Sequence, residues 1–244
     1  MLAIIGGSGL SQLGNLEVTH RQVARTPYGE PSGPLVFGSL LGRPVVFLAR
    51  HGDGHTIPPH EVNYRANLWA LREQGAQNVV SVASVGGIRA GFTPGTLAIP
   101  DQIIDYTWGR KHTFFENGAP VTHIDFTEPY SRDLRASVLA GAAACGEAVL
   151  ARAVYAATQG PRLETAAEIE RLEREGADIV GMTGMPEASL ARELGLRYAA
   201  IAVVANFAAG RGDSRESVSL EKIEEVLSEA MTRVRRIIET LVQE

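Results

Sequence analysis

The stretch Asp178–Glu193, D-I-V-G-M-T-G-M-P-E-A-S-L-A-R-E, decides the reading of this chain. Asp178–Val180 opens an apolar run of strand character. Gly181-Met182-Thr183-Gly184-Met185 reads as a turn, because two glycines flank a hydroxyl. Pro186 and Glu187 suit the first turn of a helix, where proline costs little and a carboxylate complements the helix dipole. A strand end, a hydroxyl and a helix N-terminus therefore meet within a few residues. That is a common way to hold an anion at the edge of an open α/β sheet.

Other apolar runs end in the same manner. Leu2–Ile5 reads as a buried strand, followed by Gly6-Gly7-Ser8-Gly9-Leu10. This loop lacks the third glycine of a dinucleotide fingerprint, the Gly-Lys-Ser/Thr of a P-loop and the second glycine of a nucleophile elbow. It is left with backbone N–H groups and the Ser8 hydroxyl, which suit an oxyanion as well as they suit a plain turn. Pro44–Ala49 is a buried strand ending in Arg50-His51-Gly52, a cation and an imidazole beside glycine. Asn78–Ala83 is another strand, with Ser84-Val85-Gly86-Gly87 read as a glycine turn. Tyr198–Val204 is the last central strand. Between them lie amphipathic helices over 61–74, 134–144 and 166–174, and one capped by Ser219 whose apolar positions recur from Leu220 to Leu241. Residues 110–130 read as a long polar, aromatic loop.

Alternating strands and helices without repeats or a linker imply one α/β domain over residues 1–244, built on a mixed, mostly parallel sheet flanked by helices. Ligands of such sheets bind beyond the strand ends, so Ser8, Arg50, His51, Gly86–Gly87 and Thr183 are expected to share one pocket.

Composition narrows the chemistry. A net charge of −5 argues against a nucleic-acid surface but leaves room for a small anion. Cys145 is the single cysteine, which excludes an internal disulfide and a cysteine zinc site; it is read as a buried structural residue of a helix. His51 and His55 have metal-pair spacing, but Gly52, Gly54 and Pro58-Pro59 forbid the helix that the spacing needs, so no metal is expected. With no signal-peptide pattern and no membrane-length apolar run, the expectation is a cytoplasmic protein without membrane partners.

The set Gly6–Leu10, Arg50–Gly52, Pro59–Asn67, Val85–Ile88, Gly160-Pro161-Arg162-Leu163-Glu164-Thr165 and Gly181–Glu187 resembles the purine nucleoside phosphorylases of the trimeric type. Within them it is most similar to the 5′-methylthioadenosine phosphorylase branch. The motifs run in order through nearly the whole chain. The resemblance implies phosphorolysis, in which a purine nucleoside and phosphate give free base and a ribose 1-phosphate, with phosphate as co-substrate and no cofactor. It implies that Ser8, Arg50, His51, Ser84 (through its backbone N–H) and Thr183 hold phosphate. It implies that Met182 lies against the ribose, that Leu163 packs on the base, and that His123 reaches the 5′ pocket of a neighbouring subunit in a homotrimer or a dimer of trimers. The reaction passes through an oxocarbenium-like state in which phosphate is both nucleophile and stabilising anion, so positioning and electrostatics suffice.

The sequence departs from its branch where the base is recognised. The branch carries Asp-x-Asp after the last strand; this chain has Asn206-Phe207-Ala208. A carboxylate only accepts hydrogen bonds, whereas an amide also donates. Asn206 can donate to O6 or N7 of a 6-oxopurine, and Glu164 can accept from its N1–H. The expected substrates are therefore inosine, guanosine or 5′-methylthioinosine, with Asn206 and Glu164 as the catalytic pair. A methylthioadenosine phosphorylase, a phosphate-independent nucleosidase and a non-catalytic purine-binding module are the alternatives. Ala83 stands near a position where the branch often has a hydroxyl. The choice between a 5′-hydroxyl and a 5′-methylthio group stays open, with His60 and Val62 as candidates for lining that pocket.

Overall fold

A computed structural model describes residues 1–10, 13–116 and 118–243. Its elements, in order, are β1 (Leu2–Gly6), β2 (Glu17–Gln22), β3 (Leu35–Leu40), β4 (Arg43–Ala49), α1 (Tyr64–Glu73), β5 (Asn78–Gly87), β6 (Leu97–Ala98), β7 (Gln102–Asp105), α2 (Arg132–Ala144), β8 (Val149–Leu150), β9 (Val154–Ala157), α3 (Ala166–Arg174), β10 (Ile179–Gly181), α4 (Gly184–Glu193), β11 (Arg197–Phe207) and α5 (Leu220–Leu241).

All these strands join one sheet, in the order β2-β3-β4-β1-β5-β10-β9-β7, with β11 also on β5, then β6 and β8 beyond it. The pairings of β1 with β4 and β5, β5 with β11, β9 with β7 and β10, and β6 with β8 are parallel. The others are antiparallel, so the sheet is mixed and mostly parallel, as its alternation of elements predicts. β11 is buried from Tyr198 to Ala205, the continuous apolar run expected of a strand covered on both faces. On one face Leu68, Leu71, Ala188 and Leu190 of α1 and α4 close a core. On the other, Leu227, Met231, Val234, Ile237 and Ile238 of α5 pack with Leu134 and Val138 of α2.

β5 is the spine, and its register opens the site. One edge pairs with β11 along Asn78–Gly87. The other edge pairs with β1 only over Asn78–Ser81 and with β10 only at Gly86–Gly87. Val82–Val85 is left unpaired on that edge, and the sheet splits there. The expected glycine turn at Ser84–Gly87 is thus corrected: the strand continues to Gly87. Glycine serves packing here, since a Cβ on Gly87 would lie 1.8 Å from the Phe92 carbonyl oxygen.

Other boundaries move for identifiable reasons. The apolar run from 149 to 157 forms two strands rather than one, because Ala153 N–H leaves the ladder to bond Asp101 at 3.0 Å. Cys145 is half-buried and ends α2, with its Sγ 3.4 Å from the Ala142 carbonyl, so it is not a residue of the buried core. No helix of the described residues is long and apolar enough to cross a membrane.

Candidate active site

Past the last β1/β4 register pair, Gly6 and Ala49, the segments that follow the two strands lie over the split in the sheet. The split is the floor of a cavity of about 490 Å³ lined by Ser8, Arg50, His51, Ser84, Leu163, Glu164, Met182, Thr183 and Asn206, together with apolar residues of the surrounding loops. Nine of the expected site residues are therefore brought together from six separate segments. Three are not. Val62 is buried in the core beneath α1. His60 lies outside the cavity with its Nε2 3.8 Å from Glu61, and His123 is exposed on the 110–130 loop.

Arg50 is almost fully buried at the end of β4. Its Nε and Nη2 donate to the two Glu187 carboxylate oxygens at 2.7 and 2.9 Å, Nη2 also to Ser81 Oγ at 2.6 Å, and Nη1 to the Val82 carbonyl at 3.0 Å. Glu187 accepts a further bond from the Tyr198 hydroxyl at 2.8 Å. Burial opposes both charges, yet the pair holds: Arg50 is raised above its ordinary pKa by Glu187, and Glu187 is held below the carboxylate range by Arg50. Glu187 is thus more than a partner of the helix dipole. It fixes the guanidinium in the gap of β5.

The backbone in that gap is equally informative. N–H and C=O of one strand residue face the same edge, and residues two apart share it. Val82 C=O meets Arg50 there, so Ser84 N–H points into the same opening. Gly7 lies directly above, where a Cβ would sit 2.9 Å from Arg50 Nη1. His51 is fixed by its Nδ1, 2.8 Å from the Ile57 carbonyl. Burial and then the Arg50 charge push its pKa down to about 4, so the ring is neutral near neutral pH.

The far side is formed by β9, β10 and β11. Thr183 is buried at the head of α4, with its N–H 3.4 Å from the Tyr155 hydroxyl. Met182 packs over Gly160, which has φ +62° and leaves no room for a side chain. Glu164 precedes the Thr165–Glu168 capping box of α3, and its Oε1 accepts from Thr158 Oγ1 at 2.7 Å. Asn206 owes its position to a bulge: β11 slips against β5 between Val204 and Asn206. Bulges beside sites commonly re-aim a side chain. The Asn206 amide nitrogen donates to the Phe207 carbonyl at 2.6 Å.

Sequence reading missed three contributors. Arg110 comes from the long loop, is nearly buried, and donates to the Met182, Met185, Thr158 and Gln159 carbonyls, tying two site turns together. His55 also lines the cavity, its Nε2 3.4 Å from Ser8 Oγ. Val218, Leu220, Ile223 and Leu227, at the start of α5, add an apolar wall. It lies beside the Ser8 loop, because a Cβ on Gly9 would meet Leu227 at 3.3 Å. The amphipathic pattern of α5 announced a buried face but not that its first turns serve a cavity. Among the described residues no cluster of three or more His, Cys, Asp or Glu is arranged to hold a metal.

Such a site can hold a tetrahedral anion on hydroxyls and N–H groups beside a planar, polar-edged ligand. The Phosphorylase superfamily model matches residues 1–243. The chain belongs to the phosphorylase superfamily. It is 55% identical over 226 residues to a probable S-methyl-5′-thioinosine phosphorylase of Xanthomonas campestris, covering 92% of this chain and 90% of that one. A probable 6-oxopurine nucleoside phosphorylase of Thermococcus kodakarensis is 44% identical, with 86% and 80% covered. Among solved structures, methylthioadenosine phosphorylase from Schistosoma mansoni in complex with adenine superposes with a TM-score of 0.94 at 33% identity, over 99% of this chain and 90% of that one.

Proposed function

We propose that the protein is a purine nucleoside phosphorylase that cleaves 6-oxopurine nucleosides, with 5′-methylthioinosine as the best fit. The observation that carries this reading is that Asn206 and Glu164 line the same cavity as Ser8, Arg50, His51, Ser84 and Thr183. The Ser8 and Thr183 hydroxyls, Ser84 N–H and the remaining Nη1 hydrogen of Arg50 receive phosphate. Phosphate attacks C1′ as the bond to N9 breaks, and its charge stabilises the cationic sugar lying on Met182. The leaving purine gathers negative charge. Asn206 donates its second amide hydrogen to N7 or O6, while Phe207 holds the first. Glu164, with one oxygen held by Thr158, accepts from N1–H with the other. Leu163 covers the base. No metal or prosthetic group enters this chemistry.

The apolar wall of Val218, Ile223 and Leu227 favours a methylthio group over a hydroxyl at C5′. The names of the Xanthomonas and Thermococcus relatives agree with an oxo-purine substrate. The second reading, a methylthioadenosine phosphorylase, draws on the Schistosoma structure, whose title names adenine. Against it, Glu164 would meet the lone pair of adenine N1.

The assembly expected is a homotrimer or a dimer of trimers. Trp108 and Val121, 72% and 84% exposed, offer apolar contacts on the loop that carries His123.

Following release of hypoxanthine from inosine or methylthioinosine with and without phosphate tests the reaction. The account expects release that depends on phosphate and yields the sugar 1-phosphate. Free ribose formed without phosphate would make the protein a hydrolase.

A further inference from the structure

The phosphate end of the cavity has little free positive charge. Arg50 is the only Lys or Arg lining it among the described residues, and Glu187 cancels its charge. A guanidinium has five N–H donors. Four are taken by Glu187, Ser81 and Val82, which leaves one.

His51 does not restore a cation. Its Nδ1 faces the Ile57 carbonyl at 2.8 Å, and a carbonyl can only accept, so the ring hydrogen sits on Nδ1. Nε2 has no hydrogen-bond partner among the described residues, and the residue lines the cavity. In the neutral ring Nε2 is a lone pair. The charged or titratable groups facing the ring are Arg50 from β4, His55 from the loop that follows, and Glu187 from α4. Burial, Arg50 and His55 act against protonation, and only Glu187 and the Ile57 bond favour it. The anion site is therefore several donors and one acceptor.

We propose that His51 reads the proton of the anion: the site takes monohydrogen phosphate with its O–H donated to Nε2, and discriminates against oxyanions of similar size without a proton, such as sulfate. This rests on the phosphorylase reading above and names the protonation state of its co-substrate. A lone pair set against an unprotonated anionic oxygen is a mismatched polar contact, and such mismatches give large discrimination. Sulfate can bind well only by drawing a proton from solvent onto Nε2. Monohydrogen phosphate brings its own.

Calorimetric titration with sodium sulfate and with inorganic phosphate, in buffers of different ionisation heat, counts the protons taken up. At about pH 8 the expectation is close to one proton per sulfate and close to none per phosphate dianion, with sulfate roughly 50-fold weaker or more. Sulfate affinity should fall by up to about tenfold per pH unit as the pH rises. In His51→Asn, whose amide can turn an N–H to the anion, the proton uptake disappears and the two affinities approach each other. Equal proton counts in the wild type would overturn the proposal. So would a sulfate-linked proton that persists in His51→Asn, because His55 would then be its acceptor. Turnover of inosine with phosphate, measured in parallel, separates the two readings. Turnover without the proton difference sinks only this inference, and the proton difference without turnover sinks only the assigned reaction.

Discussion

His51 carries a cost that shows in stability. Its folded-state pKa of about 4 lies below the ordinary histidine value of about 6.5, so the unfolded chain takes up the proton first. Stability from this residue is complete above about pH 6.5 and is lost as the pH falls toward about 4, by about 3 kcal/mol in all. Urea unfolding at pH 7 and near pH 4.5 should show this loss, and His51→Asn should reduce it by that amount. An unchanged slope in the variant would assign the acid sensitivity to other groups. Residue types and spacing made Ser8, Arg50, His51 and Thr183 legible in the sequence, because strand ends beside glycine are where α/β sheets bind anions. The partner of Arg50 was not legible as such. Glu187 lies 137 positions away and reaches the guanidinium only because β4 and the head of α4 converge on the split of β5.

At the scale of elements, the periodic segments were read well and the irregular ones were not. The spacing of α5 and the capping by Ser219 gave a helix that packs as its apolar face requires. Gly86–Gly87 looked like a turn because glycine breaks strands, yet here glycine lets Phe92 and β10 approach β5 closely. The bulge that aims Asn206 leaves no local mark, since it is a mismatch between two strands far apart in sequence. Arg110 is the same lesson in a loop. Its donors satisfy four backbone carbonyls that only the folded chain brings together. Arg110→Met leaves these carbonyls short of partners and should cost about 3 kcal/mol or more in urea unfolding, with a fall in kcat/KM as the Met182 turn loosens. A variant of unchanged stability and activity would show that the turns hold themselves.

The whole molecule is one sheet split along its spine, with the candidate site in the split and the 110–130 loop reaching its turns through Arg110. His123 on that loop lies outside the described cavity. Light scattering on the purified protein should return about 78 kDa or its double, three or six times the 26.1 kDa chain, and Trp108→Glu should lower that mass. A 26.1 kDa particle with full activity would remove the subunit interface from the account. The choice of purine is the central claim, and one comparison tests it most directly: kcat/KM for methylthioinosine against methylthioadenosine at saturating phosphate, in the wild type and in Asn206→Asp. The account predicts a preference for methylthioinosine of about 100-fold or more, narrowed or reversed by the aspartate. Equal efficiency, or a wild-type preference for methylthioadenosine, would contradict it.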